Sequence, residues 1–574
     1  MKQIWRNYKW VFITIAGIVV FIMGFIGYEE HFAALGKSKS SPEILCFTMK
    51  LFKMNCDLST KSEMLEAARW LAPLVAMFTA FLGFAVIFRN RISIFFARYA
   101  KAHVVICGLG AKGMQLVREF HKERVVVIEA DETNEEIPSC LDMGATVLVG
   151  HATDALTLRK VGVSQAKYVL AVCGDDGINT EIAVQTQRLV NENTDDSTIV
   201  KCFIHIVDLK LCTLFKQHKI FTDTEDRFDA RIFNIYENTA RLLVKENPPD
   251  REHIAPSAPR TVHLIVAGFG QMGESVVLQA AKIGHYANMK KLRITVIDRK
   301  AMERQRTFQC HYPKFGEICD YQFIESEIED SGLLEKMREW AQDQNLLTTV
   351  AVCFDSDTRS LSCALTLNAG LKFRRIPILV RMRDEIGLVT LLRGNDDGTG
   401  KAAQIRPFGI ISNTCSREIV LDEQLDRLAE KIHENYVKEC IAQGMTMESK
   451  PALRPWNKLN QFFRDANRQQ ADHIYVKIRA IGAEVCSEEE KTGMEPFEFT
   501  DEEVDFLART EHVRWYASYS LEGYTYGPKR DDDMKTHPYL VPWEEISEDI
   551  REYDREAVRN IPKYLGMIGE KIRR

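Results

Sequence analysis

A run of strand residues that breaks into Gly-x-Gly-x-x-Gly occurs twice in this chain, and no other feature constrains its fold as strongly. His103-Val-Val-Ile-Cys-Gly-Leu-Gly-Ala-Lys-Gly113 and His263-Leu-Ile-Val-Ala-Gly-Phe-Gly-Gln-Met-Gly273 start 160 residues apart. Each reads as a buried strand entering a tight turn that opens a helix. Gly108 and Gly268 allow the turn, Gly110 and Gly270 let a pyrophosphate approach the backbone, and Gly113 and Gly273 let the helix pack on the strand. A second strand, Val125-Val-Val-Ile-Glu129, ends in a carboxylate 21 positions after Gly108, where it can accept hydrogen bonds from ribose hydroxyls. The second copy reaches its carboxylate, Asp298, through Leu292-Arg-Ile-Thr-Val-Ile after a longer gap.

Further strand-like runs at 146–149, 168–173 and 199–207, and in the second copy at 349–354 and 376–380, alternate with helical stretches. That alternation predicts an α/β fold with two doubly wound parallel sheets. The expected units span 101–246 and 261–415, with the Pro-rich stretch 247–260 between them. From Asp422 the pattern turns to long amphipathic helices and the strand signal disappears, so 416–574 is expected to be mostly helical.

Ahead of the repeat, Trp10–Tyr28 and Trp70–Phe88 are each 19 residues without a charged side chain. At about 1.5 Å per residue such a run matches the roughly 30 Å hydrocarbon thickness of a bilayer. Residues 1–100 are therefore expected to form a two-pass membrane segment. Lys2, Arg6 and Lys9 precede the first span, and Arg89, Arg91, Arg98 and Lys101 follow the second. The positive-inside rule then puts both termini in the cytoplasm of a cell (inner) membrane protein. In the intervening loop, Ile44–Asn55 has helical spacing suited to a short re-entrant or surface helix, followed by Lys53-Met-Asn-Cys-Asp57 where a potassium channel carries Thr-Val-Gly-Tyr-Gly. A disulfide between Cys46 and Cys56 is open.

Composition narrows the function. A formal net charge of -6 over 574 residues shows no strongly basic block, which excludes a nucleic-acid polymer as the expected partner. The 14 cysteines include no Cys-x-x-Cys pair, so a metal site is not expected. No Cys/His, Ser/Tyr/Lys or carboxylate constellation stands beside the glycine turns, so an NAD-dependent oxidoreductase is the least favoured reading.

With Glu129 and the glycine turn in place, Gly150-His-Ala-Thr-Asp154 and Val172-Cys-Gly-Asp-Asp176 with Asn179 make the first unit resemble the RCK family, also called the TrkA-N domain, which regulates potassium channels and transporters. Members usually carry Gly-Asp-Ala-Thr where this chain has His151 in second position. The resemblance implies NAD or another adenine nucleotide as ligand, with Thr153 among its contacts, and ring-like homo-oligomers, for which a tetramer is borrowed from the channels. The second copy is more divergent, with Glu325-Ser-Glu-Ile-Glu-Asp330 in the matching region.

Near the C-terminal end, Glu522-Gly-Tyr-Thr-Tyr-Gly-Pro-Lys-Arg-Asp531, Lys535-Thr-His-Pro-Tyr-Leu-Val-Pro-Trp543 and Tyr553–Pro562 resemble the RyR domain of ryanodine receptors. Here Trp515, Tyr524 and Tyr526 offer flat faces for a base, Arg514, Lys529, Arg530 and Lys535 offer cations for phosphates, and His512 and His537 add hydrogen bonds. Leu428/His433 and Leu507/His512 share a five-residue spacing on two helices, which suggests a half-domain duplication. The expected function is a nucleotide-sensing membrane protein with ion passage as its output. One alternative is a non-conducting regulator docked on a separate potassium transporter. Another, resting on domain association, is a bacterial stress or antiviral membrane effector.

Overall fold

The computed structural model describes residues 2–53, 62–193, 198–208, 211–212, 227–370, 376–383, 405–446, 451–459, 461–487 and 497–574, with backbone alone at 2–10, 85–93 and 451. Cys56 and most of the Lys53–Asp57 stretch lie outside the described residues. The chain divides into two compact units, 1–97 and 98–574.

The first unit is a helical hairpin of α1 (Lys2–Ala34) and α3 (Glu63–Ala97), with the expected short helix present as α2 (Ser41–Leu51). Ser40 and Glu43 close a capping box on α2. Two glycines of α1 set the packing: a Cβ on Gly24 would lie 3.0 Å from Leu51 Cδ1, and one on Gly27 only 2.6 Å from the Leu65 backbone nitrogen. Val11–Ala34 and Glu63–Phe84 are long and apolar enough to cross a membrane. Phe12, Ile15, Val19, Leu74, Met77 and Phe81 stand exposed on them. Water would penalise that surface at about 25 cal/mol per Å², whereas lipid would not.

The second unit contains two six-stranded parallel sheets of one topology. In the first, β1 (Val104–Cys107), β2 (Val125–Glu129), β3 (Thr146–Val149), β4 (Tyr168–Ala171), β5 (Val200–His205) and β6 (Phe228–Phe233) take the order β3-β2-β1-β4-β5-β6. In the second, β7 (Thr261–Ala267), β8 (Arg293–Asp298), β9 (Asp320–Glu325), β10 (Leu346–Val352), β11 (Ile378–Arg381) and β12 (Ile405–Phe408) repeat it as β9-β8-β7-β10-β11-β12. Val104 pairs with both Val125 and Tyr168, and His263 with both Arg293 and Thr348, so β1 and β7 are central and the order reverses beside them. This is the Rossmann arrangement, whose ligand crevice opens at that reversal. The unbroken Val/Ile runs of β1, β2 and β7 are what a strand covered on both faces requires. The edge strands β6, β9 and β12 carry charges or Pro407 and give no such signal.

Helix α4 (Ala111–Glu119) follows the first glycine turn, α5 (Ile235–Glu246) follows β6, and α6 (Gln271–Ile283) follows the second turn. After β12 the chain returns to the first sheet, where Cys415, Val420 and Leu421 join its core. The C-terminal helices are α7 (Arg427–Ala442), α8 (Gln461–Ala480), α9 (Asp501–Leu521), α10 (Glu548–Arg559) and α11 (Ile561–Gly566). The C-terminal part is mostly helical as expected, with two short strand pairs added: β13 (Glu484–Ser487) pairs antiparallel with β16 (Glu570–Arg573), and β14 (Thr525–Tyr526) pairs parallel with β15 (Thr536–His537). These strands are too short to show a period in sequence.

One carboxylate ties the three parts of this unit together. Asp472 on α8 accepts from Arg241 of α5 through Nε (2.8 Å) and Nη2 (3.1 Å), and from Gln279 Nε2 of α6 (3.0 Å). Arg241 Nη1 also donates to Asp426 Oδ1 (2.7 Å). Removing one partner of a buried pair leaves the other charge uncompensated, at about 3–5 kcal/mol. With Asp426 still bonded to Arg241, Asp472→Ala is expected at the low end, roughly 3 kcal/mol, read as a lowered urea midpoint of the full chain in detergent.

Burial holds several histidines of this unit neutral. His205, His263 and His473 are pushed down to about 3 and His285 to about 4, by burial first and then by Lys112, Arg293, Lys477 and Arg514 respectively. A histidine with a depressed folded-state pKa binds fewer protons folded than unfolded, so stability is full above the unfolded value of about 6.5 and is lost as pH falls below it. The urea midpoint is therefore expected to drop steadily between about pH 7 and pH 5. A midpoint that rises on acidification would contradict neutral burial.

Candidate functional site

The first glycine turn sits at the sheet's reversal point, as its sequence requires. Gly108 has φ +98, and a Cβ there would meet the backbone of Cys173 at 3.1 Å. A Cβ on Gly113 would come within 2.0 Å of the Gly108 carbonyl oxygen, so helix and turn touch only because position 113 is bare. Gly110 differs: nothing lies within 4 Å of its would-be Cβ, and its φ of -80 suits any residue. Its openness is a vacancy above the N-terminus of α4, the place where an anion is stabilised by backbone N–H groups and the helix dipole.

Glu129 braces this turn. Its Oε2 accepts from Leu109 N (2.7 Å) and its Oε1 from Asp131 N (2.9 Å), while its backbone carbonyl accepts from Gly150 N. Thr153 is half-buried beside Asp154, which caps the helix Ala155–Lys160 through Leu156 N and Thr157 N, and His151 is exposed. Across the reversal, Asn179 staples the ends of β4 and β5 by donating to the Cys173 and His205 carbonyls, and Asp176 accepts from Val207 N and Asp208 N. Lys112, within the turn, points inward and places Nζ 3.1 Å from His205 Nδ1, its pKa lowered by burial.

The second copy repeats the bracing and brings an arginine to the opening. Asp298 Oδ2 accepts from Phe269 N (2.8 Å) and Oδ1 from Lys300 N (2.9 Å), matching Glu129 atom for atom. Gly268 has φ +89, and a Cβ on Gly273 would lie 2.1 Å from the Gly268 oxygen. Here, however, Arg304 Nη1 stands 3.8 Å from the would-be Cβ of Gly270 and 3.4 Å from Asp298 Oδ2, and the Phe354 ring lies 2.8 Å from that of Gly268. The two turns share a frame but not a free face.

In the C-terminal module, the expected ligand residues separate into interior and surface. Arg514 is turned into the interior, and His512 meets the 535–543 stretch through a backbone carbonyl rather than offering its ring to solvent. Arg514 is buried and donates from Nη2 to Glu511 Oε1 (2.6 Å), and Lys477 Nζ donates to Glu511 Oε2 (2.5 Å). His512 Nε2 lies 2.8 Å from the Val541 carbonyl oxygen. Tyr524 is buried and donates to Asp532 Oδ1, Arg530 also pairs with Asp532, and Lys535 Nζ donates to the Glu522 carbonyl. Tyr526 and Lys529 are exposed. Trp515 packs against Tyr519 (4.6 Å between centroids) and His537 (4.9 Å), so it and Tyr524 join one aromatic cluster with Phe462. Burial pushes His537 down to about 4, which leaves it neutral there.

The duplication glimpsed in the Leu/His spacing extends further in space. His433 contacts the Arg454 carbonyl (2.7 Å) as His512 contacts that of Val541 (2.8 Å). A Pro-Trp pair follows each time: Arg464 Nε donates to the Trp456 carbonyl and Arg551 Nε to that of Trp543, both guanidinium groups lying 5.4 Å from their Trp ring. Tyr436 stands three residues after His433 as Trp515 does after His512, each ring against its histidine. Sequence reading missed Tyr436 and both Trp–Arg clamps. The repeated Pro-Trp, eight residues ahead of an Arg in each half, was the available signal.

Residues 104–203 match the TrkA-N domain and residues 498–574 the RyR domain. An uncharacterized protein of Methanothermus fervidus is 30% identical over 91 residues, 16% of this chain, and the chain spans only 14% of that relative's length. Among solved structures, GsuK bound to ADP is 13% identical over 73% of this chain and 99% of its own, with a TM-score of 0.38. The human SLO3 gating ring is 13% identical over 57% of this chain and 84% of its own, also at 0.38. At that level of likeness, strand order and register remain the grounds for the fold. Joined to two helices able to cross a membrane, the chain carries a TrkA-N domain in its first Rossmann unit and an RyR domain at its C-terminal end.

Proposed function

We propose that this chain is a membrane-anchored nucleotide sensor in which an adenine nucleotide, NAD or a relative, seats at the first glycine turn and alters the membrane hairpin. The observation that carries this reading is the open face of Gly110 at the N-terminus of α4, framed by Gly108, Gly113 and Glu129. Glu129 would exchange one of its backbone contacts for ribose hydroxyls. The second turn, with Arg304 beside Gly270, is the weaker ligand site. The aromatic cluster around Trp515, with Tyr526, Lys529 and Arg530 at its surface, is a second site for a base and its phosphates. Assembly into a homo-oligomer, a tetramer by analogy with channels, gives two spans per chain a pore to line. Ion passage is the output in this reading, with both termini on the cytoplasmic side of the cell membrane.

The glycines permit a test that separates folding from binding. Gly110→Val is expected to lower the full chain's melting only slightly, because its Cβ meets nothing and the cost is that of a poorer helix N-cap, yet to abolish the stabilisation by NAD or ADP, worth about 2.7 kcal/mol at 100 times Kd. Gly113→Ala is expected to lower stability with or without ligand, since its Cβ would overlap the Gly108 oxygen. An undiminished ligand shift in Gly110→Val would remove the first turn as the site.

A second reading is favoured by Lys53-Met-Asn-Cys-Asp57, which offers no carbonyl filter sequence: a non-conducting regulator of a separate potassium transporter. Purified full-length protein in planar bilayers is expected to show nucleotide-dependent conductance. Silent bilayers together with copurification of a multi-span transporter would decide for the regulator.

A further inference from the structure

A cleft of about 290 Å³ opens between α5, the first Rossmann unit's tail helix, and the C-terminal helices, and none of its lining residues belongs to either glycine turn or to the aromatic cluster. Its volume stands at the small end of the roughly 300–1,000 Å³ typical of ligand sites, too little for a dinucleotide. Its walls come from α5, the segment 419–428, α8 and the chain entering β16, with Leu242, Leu425, Leu428, Ala471 and Ile568 supplying apolar surface.

The polar groups are unevenly engaged. Asp472 already accepts three hydrogen bonds, from Arg241 and Gln279. Glu570 Oε2 accepts from the Tyr475 hydroxyl (2.9 Å), whose pKa burial raises, so that it keeps its proton and donates. Glu246, exposed at the rim, is the carboxylate left over. On the cationic side, Lys245 Nζ contacts the Tyr475 hydroxyl (3.2 Å) and lies 4.6 Å from its ring, which leaves two of an ammonium's three N–H groups available. Arg427 makes no side-chain hydrogen bond or ion pair recorded among the described residues, and its guanidinium has five N–H donors. Lys245 and Arg427 therefore bring free donors to a cleft in which Asp472 is fully engaged, and Glu246 and Glu570 are the carboxylates an anion there would compete with.

We propose that this cleft binds a small anion bearing at least two negative charges, a phosphate or a carboxylate, between Lys245 and Arg427. The site is separate from the glycine turn and does not depend on nucleotide binding there. Because Lys245 belongs to α5 and Arg427 begins α7, the anion joins the first Rossmann unit to the helical module.

The test uses full-length protein in detergent, melted with sodium pyrophosphate or sodium citrate against sodium chloride at matched ionic strength. A saturable rise in Tm with either anion is expected, pyrophosphate alone marking a phosphate site and citrate alone a carboxylate site. Lys245→Gln with Arg427→Gln, both exposed and so tolerant of change, should weaken the response about tenfold or more, while Gly110→Val leaves it intact. No shift beyond the salt control would overturn the proposal, and so would a shift that survives the double substitution or vanishes in Gly110→Val.

Discussion

The large unit depends on a buried guanidinium that cannot be left alone. Arg241 lies 7% exposed, and Asp426 and Asp472 neutralise it from two segments far away in sequence. Desolvating an arginine is tolerable only when its donors are met with good geometry, so α5, the segment before α7 and α8 are held in one relative position. Gln279 adds α6 through the same Asp472. An apolar seam would bind these helices as firmly but would accept small slides. Directional hydrogen bonds between charges accept few.

The two Rossmann copies show how one frame diverges in use. Both brace the turn with a carboxylate at the end of the second strand, and in both the third glycine is forced by the oxygen of the first. They part where side chains from elsewhere arrive. A Cβ on Gly110 would meet nothing within 4 Å, while one on Gly270 would stand 3.8 Å from Arg304 Nη1. A shared frame therefore carries a bare face in one copy and an arginine beside it in the other, a difference the glycine spacing alone does not contain.

In the C-terminal module the same lesson runs in reverse. Residues chosen for their chemistry, Arg514 and His512, prove to be interior struts, one locked to Glu511 and the other to a backbone carbonyl. Trp515 and His537 do come together, although 22 positions separate them, because β14 and β15 fold the loop back onto α9. The duplicated His, Pro-Trp and Arg clamps give each half its own latch from a loop carbonyl to a helix.

Local chemistry was enough to specify the parallel doubly wound class, the glycine turns and the two long apolar helices. Glycine spacing, Val/Ile runs and uninterrupted apolar stretches act through neighbours along the chain, so they are readable without coordinates. The edge strands β6, β9 and β12 were not readable, since a strand covered on one side tolerates charges and proline that erase the pattern. Which cations face solvent, which glycine turn stays open, and which helices share Asp472 were decided only in three dimensions. Those outcomes depend on contacts between residues such as Arg241 and Asp472, 231 positions apart, whose pairing is set by burial and geometry rather than by either local sequence.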